Sequence, residues 1–318
     1  MRNHYRLLLL MAVAILPITN IAHAATSFPD SPVRIVVPTS PGGASDTSAR
    51  ILAEGLQTLW KQPVIVENKT GASGTIGARF VAKSPADGHT LFFGTGSTHV
   101  VAPLMLADTP YDPERDFTPL AIVGYAPFVL FVRSGLPVSN LRELVEYARK
   151  PDSELSFGTT GPATIYEIAA RLLEHEAHIH FNHIPYKGLA PMAMDVAAGR
   201  VDIGVGPVDG YLKNDRLKVL AALGNQRVAA FPGVPTSTES GYPGFSVPAW
   251  AALWGPAALP ANISSALTQG LLNVLGQPEV QKRIAVTGIV IQPGDGNALR
   301  MLIEHDLTKL KQLEKPGN

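Results

Sequence analysis

The sequence predicts an α/β protein of two domains, each a mostly parallel sheet flanked by helices. Three observations carry that prediction. The chain has 318 residues, 46% of them hydrophobic, which is more than one ordinary core accommodates. A strand-like run followed by a loop of Gly, Ser, Thr and Pro occurs five times, and most of these loops feed a helical pattern. In the first hundred residues successive units are about thirty residues apart, the length of a βαβ unit.

The opening segment precedes the fold. Arg2 and Arg6 make a positive start, Leu7 to Leu16 is an unbroken apolar run, and Ala22-His23-Ala24 follows Pro17 as a small-x-small signal. Residues 1–24 are therefore expected to be a cleaved signal peptide, the apolar run being too short to span a bilayer. No later segment is apolar for long enough to form a membrane helix. Loss of Arg2 and Arg6 tilts a balanced chain, 26 basic against 26 acidic residues, slightly acidic. There is no cysteine, which excludes disulfides, thiolate metal sites, a Cys nucleophile and a lipidated N-terminal cysteine. An exported, freely soluble protein is expected. No basic run interleaved with aromatics is present, so nucleic acid is not an expected partner.

In the first unit Val33, Ile35, Val36 and Val37 form a short strand. Ser40-Pro41-Gly42-Gly43-Ala44-Ser45-Asp46 is its loop, and Ile51, Leu52, Leu56 and Leu59 share one face of the helix that follows. The second unit runs from Pro63–Val66 through Glu67 to Gly74 into a helix with Ile76, Ala78, Phe80 and Val81. The third has Leu91–Phe93 before Gly94 to His99. In the fourth, Leu155–Phe157 leads into Gly158 to Thr164 and a helix with Ile168, Leu172 and Leu173. The fifth has Val201–Ile203 before Gly204 to Gly210. Parallel sheets bind ligands at the carboxyl ends of their strands, so the five loops are expected to converge on one or two sheet edges.

The polar segment 112–116 and the strand-like stretch from Leu120 to Val132 place a first domain crossing, and Leu217 to Leu223 the return. Residues 25–123 and 224–318 then form one discontinuous domain, and 124–223 the other. Residues 224–260, rich in Pro and Gly, read as irregular wrapping chain. The tail reads as helices over 262–275, 278–286 and 297–313, with a short strand at 289–291.

Helix amino termini carry unpaired N–H groups and the positive end of the helix dipole, so they hold anions without a cationic side chain. Glycines let a ligand come close, and the hydroxyls of Ser45, Ser73, Thr95, Ser97, Thr159 and Thr160 add donors. Five such loops point to a small-anion cleft. Asp46 complicates it: an acid in a first helical turn either serves the dipole alone or, facing the cleft, holds a water or a ligand's ammonium group. Nucleotide motifs fail, because Gly94-Thr95-Gly96 lacks its third glycine at His99 and no P-loop lysine occurs. The nucleophile elbow fails at Thr75. His175, His178, His180 and His183 read as a solvated helix end rather than a metal site, and no metal or cofactor is expected. Trp250 and Trp254 read as core, while Tyr186 and Lys187 border the cleft, Lys69 being the other cation nearby.

Several stretches resemble one family. "VRIVVPTSPGGASDTSARILAEGL", "VIVENKTGASGTIGARFVAKSPADGHTLFFGT", "YDPERDFTPLAIV", "HIPYKG" and "VPTSTESGYPGF" are similar, in order from about residue 28 to 315, to the substrate-binding proteins of tripartite tricarboxylate transporters, the Bug family. The resemblance implies a periplasmic two-domain Venus-flytrap protein, a monomer without catalysis. It would capture a di- or tricarboxylate, aromatic acid or amino acid between its lobes and deliver it to membrane transporter subunits. The carboxylate would be met by amides, hydroxyls and waters of the strand-end loops. By the same resemblance Ser40, Gly42, Gly43 and Asp46 belong to the first loop and Gly71, Ala72, Ser73 and Gly74 to the second. Thr95, Ser97 and His99 belong to the third, Thr159, Thr160, Gly161 and Thr164 to the fourth, and Pro207, Val208 and Asp209 line the far side. The chain departs from the family pattern twice: Ala163 stands for a glycine, and Glu167-Ile168 for a His-Leu pair. The competing readings are a ligand-sensing partner of a membrane kinase, and an enzyme using His99 or Asp46 as its base.

Overall fold

The computed structural model describes residues 28–106, 108–208, 210–247 and 249–311; the expected signal peptide and Asp209 lie outside them. The chain runs β1 (Val33–Val37), α1 (Ala44–Trp60), β2 (Val64–Asn68), α2 (Thr75–Ala82), β3 (Thr90–Thr95), α3 (Ala102–Met105), β4 (Phe117–Tyr125) and β5 (Phe128–Arg133). It continues through α4 (Leu141–Ala148), β6 (Ser156–Thr159), α5 (Ile165–Ala177), β7 (Asn182–Pro185), α6 (Leu189–Ala197), β8 (Ile203–Pro207) and β9 (Leu217–Ala222). It ends with β10 (Trp250–Pro256), α7 (Ala261–Leu275), α8 (Pro278–Ala285), β11 (Val290–Asp295) and α9 (Gly296–Leu310).

Two sheets result, in the orders β11-β4-β10-β3-β1-β2 and β7-β6-β8-β5-β9. Each sheet has a parallel part and an antiparallel part. β3-β1-β2 and β7-β6-β8 are parallel. β10, β4 and β11 extend the first sheet, and β5 and β9 the second, in antiparallel fashion. The inner parallel strands β1 and β3 are buried on both faces, as their near-continuous Val, Ile, Leu and Phe runs require, while the edge strands β2 and β7 are partly exposed. Val33, Ile35 and Val37 pack against α1, α7 and α8 on one face. Val36 and Phe92 point the other way into a cluster shared with Leu130, Phe157, Ile168 and Leu173 of the second sheet's layer. Val33, Ile35, Val36 and Val37 are all fully buried, and each such side chain stabilises by roughly 1.5–3 kcal/mol.

The helices follow the apolar spacing with local exceptions. Ile51, Leu52 and Leu56 of α1 are buried, but Leu59 is exposed. In α2, Ala78 and Val81 are buried while Ile76 and Phe80 face outward. The stretch Leu120 to Val132 divides into β4 and β5, which belong to different sheets. The break falls at Ala126-Pro127, where proline has no N–H to continue a ladder. The larger correction is β10. It lies inside the region expected to be irregular, yet it sits between β3 and β4 in the middle of the first sheet with every residue buried. A run of small and apolar residues covered on both faces has no two-residue alternation to betray it. Trp250 and Trp254 point from this strand into the shared cluster, as core residues. The three tail helices begin within a residue of where the sequence places them, and the strand between the last two runs over Val290–Asp295, longer than the expected 289–291.

Candidate functional site

Because β3, β1 and β2 are adjacent and parallel, their carboxyl ends bring the first three loops to one edge. The same holds for β7, β6 and β8, which gather the fourth loop, Tyr186–Gly188 and Pro207–Val208. Helix α5, which starts from the fourth loop, packs against the turn Ser97–Val101 of the third.

In the first loop Gly42 takes φ +85° and Gly43 is the N-cap of α1, with no side chain capping that helix. Asp46 is buried and its acceptor sites are filled. Oδ2 accepts from the Gly42 N–H at 2.9 Å and from Arg50 Nε at 3.0 Å. Oδ1 accepts from Asn68 Nδ2 at 2.8 Å and lies 3.0 Å from an Arg50 terminal nitrogen. A carboxylate has about four lone-pair sites, so none is left for a ligand. Burial pushes the Asp46 carboxyl up, but Arg50, the Gly42 amide and Asn68 outweigh it and hold it below the usual carboxylate range. Asn68 Nδ2 also donates to Thr39 O at 2.9 Å, which ties the loop to the end of β2. The geometry gives Asp46 a role that the sequence did not suggest, fixing the loop through the Gly42 amide, Arg50 and Asn68. Ser40 and Gly43 remain exposed.

The second loop is unusual backbone. Gly71, Ala72, Ser73 and Gly74 have φ of +117°, +46°, +55° and +90°. Two of the four carry a Cβ in a region that favours glycine. Gly74, the N-cap of α2, has no side-chain cap either. A Cβ on Gly74 would lie 2.8 Å from Thr98 Cγ2 and 3.1 Å from Pro38 Cβ, so loops one, two and three are pressed together there.

In the third loop the Thr95 N–H donates to Thr98 Oγ1 at 3.1 Å, and Thr98 Oγ1 lies 3.1 Å from His99 Nδ1. His99 is fully buried. Its ring stacks on Trp254 with centroids 3.8 Å apart and meets Phe117 edge-on. Burial holds the imidazole neutral, with a pKa lowered to about 3. The ring therefore faces the core as the chain stands, and Thr95 and Ser97 are the partly accessible polar side chains of this loop.

In the fourth loop Thr159 is buried, Thr160 and Gly161 are partly accessible, and Thr164 caps α5 by accepting from the Glu167 N–H at 3.4 Å. Ala163 holds φ +58° where the family pattern has glycine. Glu167 is buried and bonds to Arg171 Nε at 3.0 Å and His183 Nδ1 at 3.1 Å. On the far side Val208 donates to Pro127 O at 3.1 Å, and a Cβ on Gly288 would lie 3.2 Å from the Val208 carbonyl.

The two cations differ. Lys69 is engaged, 2.6 Å from Glu67 and above the Phe80 ring, while Lys187 is exposed beside Gly188. Tyr186 turns its hydroxyl to Asp195 at 2.7 Å. Among the described residues no three His, Cys, Asp or Glu side chains form a group that could hold a metal, and no helix is long and apolar enough to cross a membrane.

A groove of about 1410 Å³ runs beside the crossover strands. It is lined by Gly42 and Thr47, Tyr125–Phe128, Val208, residues 223–230 and residues 285–292. It meets the predicted site only at Gly42 and Val208. Of the residues that the sequence reading did not single out, Arg50 and Arg171 follow the acids Asp46 and Glu167 by four positions, a helical ion-pair spacing readable from sequence. Asn68 and the role of His183 come from strands beside the helices, and only the fold brings them in.

The family described as "Tripartite tricarboxylate transporter family receptor" matches residues 48–317. A UPF0065 protein from the tcbD-tcbE intergenic region of Pseudomonas sp. strain P51 is 32% identical over 312 residues, covering 97% of this chain and 93% of that one. Two solved structures from Rhodopseudomonas palustris are each 29% identical. One, with adipate, has a TM-score of 0.80 and covers 91% of this chain and 97% of its own. The other, MatC with bound malate, has a TM-score of 0.77 and covers 90% and 99%.

Proposed function

This chain belongs to the receptor family of the tripartite tricarboxylate transporters, and from that premise we propose that it is a periplasmic receptor for a small carboxylate. In this reading residues 25–123 with 224–318 make one lobe and 124–223 the other, and the ligand lies between them. Closure of the lobes presents a shape that the membrane subunits recognise. The chain acts by binding, without catalysis.

The observation that carries the reading is the pair of uncapped helix starts. α1 and α2 begin at the carboxyl ends of parallel β1 and β2, their N-caps are Gly43 and Gly74, and no side chain occupies their first amides. The acid of that loop, Asp46, is tied to Arg50, Asn68 and the Gly42 amide. Amides that no side chain caps, at a positive dipole end beside a neutralised acid, suit an anion. Ser40, Gly42, Gly43, Gly71 to Gly74, Thr95 and Ser97 would form one wall of the site. Thr159, Thr160, Gly161, Thr164, Pro207, Val208 and Asp209 would form the other. Relatives of this fold hold adipate and malate, and a small acid of that class is the ligand proposed here. His99 acts beneath the wall, through packing.

The test is a thermal-shift and calorimetric titration of the chain lacking residues 1–24 with malate, adipate, citrate, benzoate and glutamate, after unfolding and refolding to strip carried-over ligand. A bound acid at about 100 times its Kd adds about 2.7 kcal/mol to the folded state. Absence of a shift with every acid removes the carboxylate reading. Turnover of any of them would replace binding with catalysis.

A further inference from the structure

Resting on the reading that the first amides of α5 face the ligand, we propose that His183 is a positioning residue that draws the Glu167 carboxylate off the mouth of α5 and keeps those amides open. Thr164-Ile165-Tyr166-Glu167 has the spacing of a capping box, in which the Glu carboxylate reaches back to the N–H of the capping Thr. Half of the box is made: Thr164 Oγ1 accepts from the Glu167 N–H. The other half is not. Glu167 Oε1 is bonded instead to His183 Nδ1 at 3.1 Å and Arg171 Nε at 3.0 Å. A carboxylate in the box position would sit on the Thr164 N–H and place its charge beside the Ile165 and Tyr166 amides that an anionic ligand needs.

The clamp is a charged one by its geometry. His183 Nε2 meets Glu174 Oε1 at 3.1 Å, so each ring nitrogen faces a carboxylate. Ionised carboxylates only accept, so both nitrogens must donate and the ring is imidazolium. The groups facing it are Glu167, Arg171 and Glu174 from α5, and His180 from the turn before β7, itself 3.2 Å from Glu174. From the neighbouring β6 the Phe157 ring approaches. Hydrogen bonds to Glu167 and Glu174 raise His183 to about 9. Burial pushes Glu167 up, but His183 and Arg171 overcome it and hold it at about 2. Arg171 is the weaker holder, its side chain 48% exposed against 22% for His183.

The experiment compares His183→Ala, Glu167→Gln and the double variant by calorimetry with malate and adipate, after checking that each melts cooperatively. Expected is a roughly tenfold loss of affinity in His183→Ala, the scale of one helix cap. The double variant should return to the affinity of Glu167→Gln, because the competing charge is gone. Wild-type affinity should fall as pH rises through about 9, where His183 loses its proton, and that of Glu167→Gln should not. An unchanged affinity in His183→Ala, or a loss that Glu167→Gln fails to rescue, overturns the proposal. A crystal structure of His183→Ala decides the point without ligand: Glu167 on the Thr164 N–H supports it, and Glu167 still on Arg171 alone overturns it. If wild type binds neither acid nor any other in the panel, the carboxylate reading fails, and that structure still settles where Glu167 goes.

Discussion

Helices α1 and α5 open the two walls of the proposed cleft, and each carries a buried acid in its first turn, Asp46 and Glu167. Each acid is held by an arginine four residues on, with both arginine side chains 48% exposed. Each also takes a second partner from a neighbouring strand: Asn68 of β2 for Asp46, His183 of β7 for Glu167. There the likeness ends. Asp46 turns its carboxylate back onto its own loop through the Gly42 amide, whereas the Glu167 carboxylate has no bond to the loop it follows and reaches away from it, to Arg171 and His183. One acid shapes a loop with a neutral amide as its helper, and the other is restrained by a group that titrates. The same solution to a dipole-end acid thus uses a neutral partner at α1 and a titratable one at α5.

The largest effect should come from Asp46→Ala, which unpairs Arg50, strips Asn68 of an acceptor and frees the Gly42 turn. A loss of about 2–3 kcal/mol is expected, against about 1 kcal/mol for Glu167→Ala, where His183 keeps Glu174. Urea unfolding of both variants measures this, and equal losses would break the comparison. Next is alkaline pH. A histidine whose folded pKa lies above its ordinary 6.5 stabilises fully below 6.5 and loses that contribution as pH rises through about 9. Wild type should lose about 2 kcal/mol more than His183→Gln between pH 7 and 10, with amide exchange accelerating in α5 and not in α1.

On the acid side the sign reverses for His99. Its folded pKa of about 3 lies below 6.5, so the unfolded chain binds the proton first and stability falls as pH drops below 6.5. About 2 kcal/mol should be lost by about pH 5, and His99→Phe should flatten that limb. The arginines come next. Arg50→Ala should cost about 1 kcal/mol and Arg171→Ala less than about 0.5, since both are solvent-screened but only Asp46 is left without a cation. Smallest are the loops. Ala72→Gly relieves an exposed left-handed residue and should stabilise by about 0.5 kcal/mol. Ala163→Gly relieves the same strain but removes a fully buried methyl, so its effect should be near zero. Thermal melts of the pair separate the two.

How much was legible follows from where each signal lives. The strands Val33–Val37 and Thr90–Thr95, their glycine loops and the α7, α8 and α9 helices announce themselves through local runs, and the quoted motifs announce the family. The left-handed strain at Ala163 was foreshadowed by an alanine standing where glycine is expected. β10 was hidden because burial on both faces erases the alternation that marks a strand. The split at Ala126-Pro127 was hidden because two apolar strands in succession read as one.

His99 shows the limit within the site. Its place in the third loop is set by sequence, but whether its ring turns to the cleft or to Trp254 depends on β10, more than 150 residues further along the chain. The sequence by itself determined the α/β class, the receptor family, the strand-end loops and the acids with their arginines four residues on, all of which rest on neighbours within a few positions. The tertiary structure alone decided which acid faces its loop, which histidine is charged and which is neutral. Those outcomes depend on burial and on partners from adjacent strands, and register across a sheet is not a local property of the chain.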